Sequence, residues 1–353
     1  VADEGHELAA AEATGEHEVL SWAEACERLA SPYAVESWSA ACGQPWIAVE
    51  LSGDPGPADA LRDGLARLVC PSFAVVPERG APAARDAADA FDVVVETRDA
   101  LAPLVANVEA APLASAALAQ LLRGHAGRTV EQGLVAESFV YSMLQAGPEF
   151  AGWLARQRTL RPEIPEEAPV KVAREGGRLE LTLNHPMKRN AYSAAMRDHL
   201  CEALQLAAAD DGIDEIVLRG EGPAFCSGGD LDEFGLLVDP ATAHAIRTTR
   251  SAARLLAACA SRVRAELHGA CVGAGIELPA FARRVVASPD AWFQLPELSM
   301  GLVPGAGGTV SLPGRIGRQR TARLALSGER MDAETALGCG LVDEIAAPRD
   351  DGG

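Results

Sequence analysis

With 353 residues, 48% of them hydrophobic, the chain has ample material for a packed interior and is long for one core. Two domains, or one domain with a large extension, are therefore expected. A net charge of -19 excludes a broad nucleic-acid or anionic-membrane surface, but not an anionic cofactor, which needs only a few local cations.

Residues 1–17 read as a disordered acidic lead, the opposite of a signal peptide. No apolar run reaches the roughly 18 residues that span a bilayer. The eight cysteines include no CxxC pair and no zinc-type cluster with histidine, so a reducing cytoplasm and no metal are expected. A helix is predicted over 17–29, a strand over 46–51, a helix over 58–68, and strands over 73–76 and 91–96. That is the rhythm of a small α/β unit. Three or four helices should follow, at about 98–109, 112–123, 129–146 and 148–158, where Leu, Ala and Val recur at helical spacing. Residues 18–160 thus form a smaller α/β to helical N-terminal domain, with a degenerate duplicate of the second half as one origin.

Residues 161–169, with three prolines and three acids, read as a linker. A hairpin over 170–173 and 179–183 follows, then a helix over 194–209 and a strand over 215–219. A helix over 240–260 leads to a strand over 263–267 and a Gly-rich helix start. Strands over 284–287 and 291–294 complete a pattern that predicts a largely parallel sheet flanked by helices in 170–346, with 347–353 as a tail.

The chemistry concentrates in the run from His268 to Leu278, which holds Gly273, Ala274, Gly275 and Glu277, and in Leu295-Pro296-Glu297. Backbone amides at a helix start bind developing negative charge, and two positioned carboxylates can divide the roles of general acid and general base. Such a site suits a carbonyl that becomes an enolate. Each glutamate also has a plainer reading: Glu277 as a first-turn residue favoured by the helix dipole, and Glu297 as a loop salt bridge.

Four segments appear in one order: 185–192 (His-Pro-Met-Lys-Arg-Asn-Ala-Tyr), 222–231 (Gly-Pro-Ala-Phe-Cys-Ser-Gly-Gly-Asp-Leu), the Gly-rich run, and 295–309 with Pro304-Gly305-Ala306-Gly307-Gly308-Thr309. Leu326-Ser327-Gly328 and 340–344 follow. Over about residues 170–346 this resembles the crotonase (enoyl-CoA hydratase/isomerase) superfamily. The resemblance implies an α/β fold, a spiral of ββα units from about 165 to 346, and an acyl-CoA substrate with no separate cofactor. It implies an oxyanion hole from the N–H groups of Gly229 and Ala274. Losing one such donor would cost ~3 kcal/mol of transition-state stabilisation. Glu277 and Glu297 match the two glutamates that hold and activate water in hydratases.

Glycine is usual at position 274, and the Ala274 methyl puts substrate choice in question. Lys188 and Arg189 fit either the nucleotide end of coenzyme A or a solvated basic pair. Leu231 and Phe234 fit the acyl tunnel or plain core. Ala191, Ser227, Gly228, Gly273, Pro304 and Gly305 complete the implied CoA and acyl path. Asp230 reads as a turn-stabilising acid and His268 as a structural hydrogen-bonding residue. The resemblance also implies helices beyond Ile345 that cover the acyl pocket and build trimers, for which residues 346–353 leave no room. The N-terminal helices, with Phe139, Tyr141, Met143, Phe150 and Trp153, are then expected to cover the site or the contact within a homo-oligomer. An enoyl-CoA hydratase is the leading expectation. The alternatives are an isomerase or a cofactor-independent oxygenase of the same superfamily, or a non-catalytic acyl-CoA-binding subunit.

Overall fold

The computed structural model describes residues 18–52, 57–77, 81–157, 167–236 and 239–346. The acidic lead, the tail and residues 161–166 of the linker lie outside them. The N-terminal part begins with β1 (Leu20–Ser21), α1 (Trp22–Leu29), α2 (Ala34–Ser37), β2 (Ile47–Glu50), α3 (Ala58–Arg67), β3 (Ser72–Val75), α4 (Pro82–Ala88) and β4 (Val93–Val95). Its four strands form one parallel sheet in chain order. The first helix starts at Trp22 rather than His17 because Ser21 and Glu24 form a capping box. Pro82 opens α4 in a segment assigned no helix from periodicity, where small alanines carry the buried face.

Four helices follow: α5 (Ala102–Ala110), α6 (Pro112–Arg123), α7 (Val130–Gln145) and α8 (Pro148–Leu154). A second capping box, from Thr129 and Gln132, fixes the start of α7. No single described helix is long and apolar enough to cross a membrane.

The second part runs β5 (Val170–Glu175), β6 (Arg178–Leu183), α9 (Ala194–Ala209), β7 (Glu215–Gly220), α10 (Pro240–Thr249), α11 (Ala252–Cys259), β8 (Val263–Leu267), β9 (Ala270–Val272), α12 (Ala274–Glu277), β10 (Arg284–Ala287) and β11 (Trp292–Gln294). It ends with α13 (Gly308–Ile316), α14 (Arg318–Ser327), β12 (Met331–Asp332), α15 (Ala333–Cys339) and β13 (Glu344–Ile345). The helix expected over 240–260 is two helices, because the Ser251 side chain caps a new start at Arg254 N–H. The six-stranded sheet has the order β13-β10-β8-β7-β6-β5, parallel except for the β5–β6 hairpin. A smaller sheet, β12-β11-β9, stands beside it.

One hydrophobic core spans both parts. Leu118, Leu122, Leu144 and Phe150 of the N-terminal helices share it with Leu200, Leu218, Ile276 and Leu302. A second cluster fills the other face of the N-terminal sheet, around Trp22, Ile47, Leu65 and Phe91. A buried polar clasp ties the parts together. Asp92, 1% exposed, accepts from Ser72 N at 2.9 Å, Arg123 Nε at 2.9 Å and Arg318 Nη1 at 2.9 Å. Arg318 also donates to the carbonyls of Asp89 and Phe91, each at 3.0 Å.

Candidate active site

Two strands paired in register launch the two glutamates. β9 runs parallel to β11 with Val272 beside Gln294, and Gly273 N–H donates to Gln294 O at 2.9 Å. At Gly273 the chain turns sharply, with φ 50° and ψ -119°, into the short α12 that ends in Glu277. Such a conformation strains any residue with a Cβ. Here a Cβ would also meet Glu297 Oε1 at 2.5 Å and Glu277 Oε1 at 3.7 Å. Glu297 opens the turn that follows β11, so residues 20 apart in sequence face one another across a bare backbone.

The 226–230 segment lies between β9 and Tyr192. Cys226 pairs with Cys271, Val272 N–H donates to Cys226 O at 3.0 Å, and Tyr192 N–H donates to Gly228 O at 2.7 Å. Among the described residues neither Gly229 N–H nor Ala274 N–H has a backbone acceptor. The second is the first amide of α12, which has no partner within its helix. Both residues line the same cavity.

The Gly-rich loop after Pro304 is held from both sides. Glu277 Oε2 accepts Ala306 N–H at 2.7 Å and Gly308 N–H at 2.9 Å. The alternate amides point the other way, to a third carboxylate. Glu137 of α7, 3% exposed, accepts Gly307 N–H at 2.7 Å, Thr309 N–H at 2.9 Å and Thr309 Oγ1–H at 2.6 Å. Sequence reasoning did not single out Glu137. Its signal was a glutamate on a face otherwise occupied by Leu134 and Tyr141, three residues before it and four after.

Three buried carboxyls close together cannot all ionise freely. Burial raises Glu277 well above its ordinary range, with the Glu297 and Glu137 charges adding to the effect. Burial pushes Glu297 up to about 8, and among the described residues its buried Oε2 has no hydrogen-bond partner. Burial pushes Glu137 up to about 7, against the pull of its bonds from Thr309 and Gly307.

These groups border a cavity of about 720 Å³. Of the residues expected at the site, Ser227, Gly228, Gly229, Leu231, Phe234, Ala274, Glu277, Glu297 and Gly305 line it. Gly273 packs behind the two carboxylates and Pro304 against Gly308. Three others are placed elsewhere. Lys188 Nζ is held by Asp230 at 3.1 Å and Asp232 at 2.6 Å, because Asp230 caps the turn that brings Asp232 round. Arg189 is an exposed left-handed residue, φ 51°, whose carbonyl accepts Ser227 N–H at 3.0 Å. Ala191 is buried beneath. The cations on the cavity wall are Arg197 of α9, Arg247 of α10, Arg250 just after α10 and Arg254 of α11, scattered without a motif. His268 Nε2 lies 2.9 Å from Gly222 O, remote from the glutamates' bonding.

The N-terminal helices supply one wall. Tyr141 and Trp153 line the cavity, and Phe150 is buried against Trp153 and Phe234, with ring centroids 5.7 and 6.3 Å away. Phe139 and Met143 face outward. Tyr141 sits so close to Gly305 that a Cβ there would meet its ring at 2.3 Å.

Residues 174–351 match the Enoyl-CoA hydratase/isomerase family model, about half of the chain. A 2,3-dehydroadipyl-CoA hydratase from Escherichia coli is 37% identical over 176 residues, which cover 49% of this chain and 68% of that protein. A solved enoyl-CoA hydratase from Thermoplasma volcanium is 33% identical, with a TM-score of 0.47, covering 52% of this chain and 73% of the other. With a family match over half its length and both sheets of the second part in place, the chain belongs to the enoyl-CoA hydratase/isomerase family, the crotonase superfamily.

Proposed function

We propose that this enzyme adds water across the double bond of a 2-enoyl-CoA, or removes it from a 3-hydroxyacyl-CoA. The observation that carries the reading is the pair Glu277 and Glu297, facing each other across Gly273 beside two amides without backbone acceptors. The thioester oxygen accepts the N–H groups of Gly229 and Ala274, which stabilise the enolate as water attacks the β-carbon. Both carboxyls are raised by burial, and the state of this coupled pair that serves the reaction carries one proton. Two backbone donors on Glu277 favour its charged form, while Glu297 Oε2 has none. Glu277 therefore takes a proton from the attacking water, and Glu297 delivers its own to the α-carbon as the enolate collapses. The proton then on Glu277 passes to Glu297, directly or through water, to restore the starting state.

The test is loss of the conjugated enoyl thioester absorbance on adding enzyme to a 2-enoyl-CoA. Glu277→Gln and Glu297→Gln should each lower kcat by about 100-fold or more while acyl-CoA binding is nearly unchanged. Full activity in either variant refutes the two-carboxylate mechanism. The packing of N-terminal helices against the cavity keeps one second reading open, a cofactor-independent oxygenase acting on an aryl- or enoyl-CoA. Oxygen uptake without hydration would favour that reading.

A further inference from the structure

α7 presents Ser138, Tyr141, Ser142 and Gln145 along one face, at spacings of three and four residues. From α10, Arg247 reaches across that face. Its Nε donates to Ser138 Oγ at 3.3 Å, its Nη1 to Gln145 Oε1 at 3.1 Å, and its Nη2 to Ser142 Oγ. Its guanidinium carbon lies 4.8 Å from the centre of the Tyr141 ring. Every one of these partners is neutral. Among the described residues no carboxylate forms an ion pair with Arg247, whereas Arg250 has Glu202 at 3.6 Å and Arg197 has Asp198 at 2.9 Å. Glu137, the nearby negative charge, spends both oxygens on the Gly-rich loop.

Arg247 is half-buried on the cavity wall, and burial pulls its pKa below the ordinary arginine value. Burying a cation without a counter-ion is costly, and three bonds leave part of a five-donor fork unspent. A missing counter-ion on a ligand-cavity wall is what results when the ligand carries it. The position limits which part of the ligand. Tyr141 bridges the interval, with its ring edge at Gly305, next to the amides that hold Glu277, and Arg247 over its face. The guanidinium thus stands one aromatic ring from the loop that supports the reacting centre. The phosphates of coenzyme A lie beyond the whole pantetheine arm.

On the hydratase reading of the site, we propose that Arg247 is a specificity-determining residue that binds a carboxylate at the far end of the acyl chain. The substrate class is then a 2-enoyl-CoA with an ω-carboxylate. The planar guanidinium fork suits a carboxylate, and Ser138, Ser142 and Gln145 hold it in place.

The test uses the full chain with trans-2-hexenoyl-CoA and the six-carbon analogue ending in a carboxylate. Binding of the saturated pair, hexanoyl-CoA and adipyl-CoA, is measured by calorimetry alongside. The wild type should prefer the carboxylate member by about 10- to 100-fold, the range for charge-assisted hydrogen bonds. Arg247→Gln should abolish that preference through KM and leave the methyl-terminated substrate nearly unaffected. Arg247→Lys, which keeps the charge, should retain part of it. Equal weakening of both substrates in Arg247→Gln, or no preference in the wild type, overturns the proposal. If no enoyl-CoA is hydrated, the hydratase reading falls by itself. The adipyl-over-hexanoyl binding ratio, and its loss in Arg247→Gln, then still decides the anchor.

Discussion

Replacing Glu137 with alanine removes the acceptor of three donors at once: Gly307 N–H at 2.7 Å, Thr309 N–H at 2.9 Å and Thr309 Oγ1–H at 2.6 Å. A buried polar group left unpaired costs about 1–3 kcal/mol, and water entering the space offsets part of it, so a loss of about 3–5 kcal/mol is expected. Glu137→Gln keeps one acceptor oxygen but turns an amide NH2 toward donors, for a loss of about 1–3 kcal/mol. The effect reaches Glu277 because the same loop offers it the intervening amides of Ala306 and Gly308. Misplacing a reacting group by an ångström can cost about 100-fold, so kcat should fall by about 10- to 100-fold in Glu137→Ala. Urea denaturation and hydration kinetics on the same preparations read both quantities. Stability within about 1 kcal/mol of wild type together with an unchanged kcat would refute the argument that α7 holds the loop.

The pH dependence of stability follows from the raised carboxyls. Glu297 keeps its proton in the fold up to about 8, whereas its ordinary value is 4.5. Its contribution is therefore full below 4.5 and declines as pH rises towards 8, where the unfolded chain has released a proton that the fold retains. The fall in Tm over that window should be shallower in Glu297→Gln, and parallel curves would count against the raised value. Asp92→Asn leaves Arg123 and Arg318 in the clasp without a negative charge, and should cost about 3–5 kcal/mol in denaturant. Faster hydrogen exchange in β3 and β4 should accompany that loss. A chain beginning at residue 167 lacks Glu137, Tyr141 and Trp153 from the site and exposes the apolar face left by Leu118, Leu144 and Phe150. It should aggregate or be inactive, and a soluble, fully active fragment would contradict the role of the N-terminal helices.

What the sequence determined by itself is the part of the site built by local backbone chemistry. Gly228 and Gly273 have positive φ, 98° and 50°, and glycines in the right order around Cys226 and Glu277 are legible as close-approach backbone before any fold is known. The strands that carry these segments were also legible, because β7, β8 and β10 are nearly continuous apolar or alternating runs. Tertiary structure alone decided the remainder. Lys188 fits a phosphate contact or a solvated pair by its motif, yet acids 42 and 44 residues away hold its ammonium group. Glu137 meets its partners across 170 residues, and Arg247 meets the serines of α7 across more than 100. Such contacts depend on how α7 packs against the second half, and a glutamate or arginine at one position of a helix carries no mark of the partner that packing will bring. Sequence therefore marks where the backbone can approach a ligand closely. Packing across the two parts decides which carboxylates are tied to the Gly-rich loop and which cation on the cavity wall is held by neutral side chains.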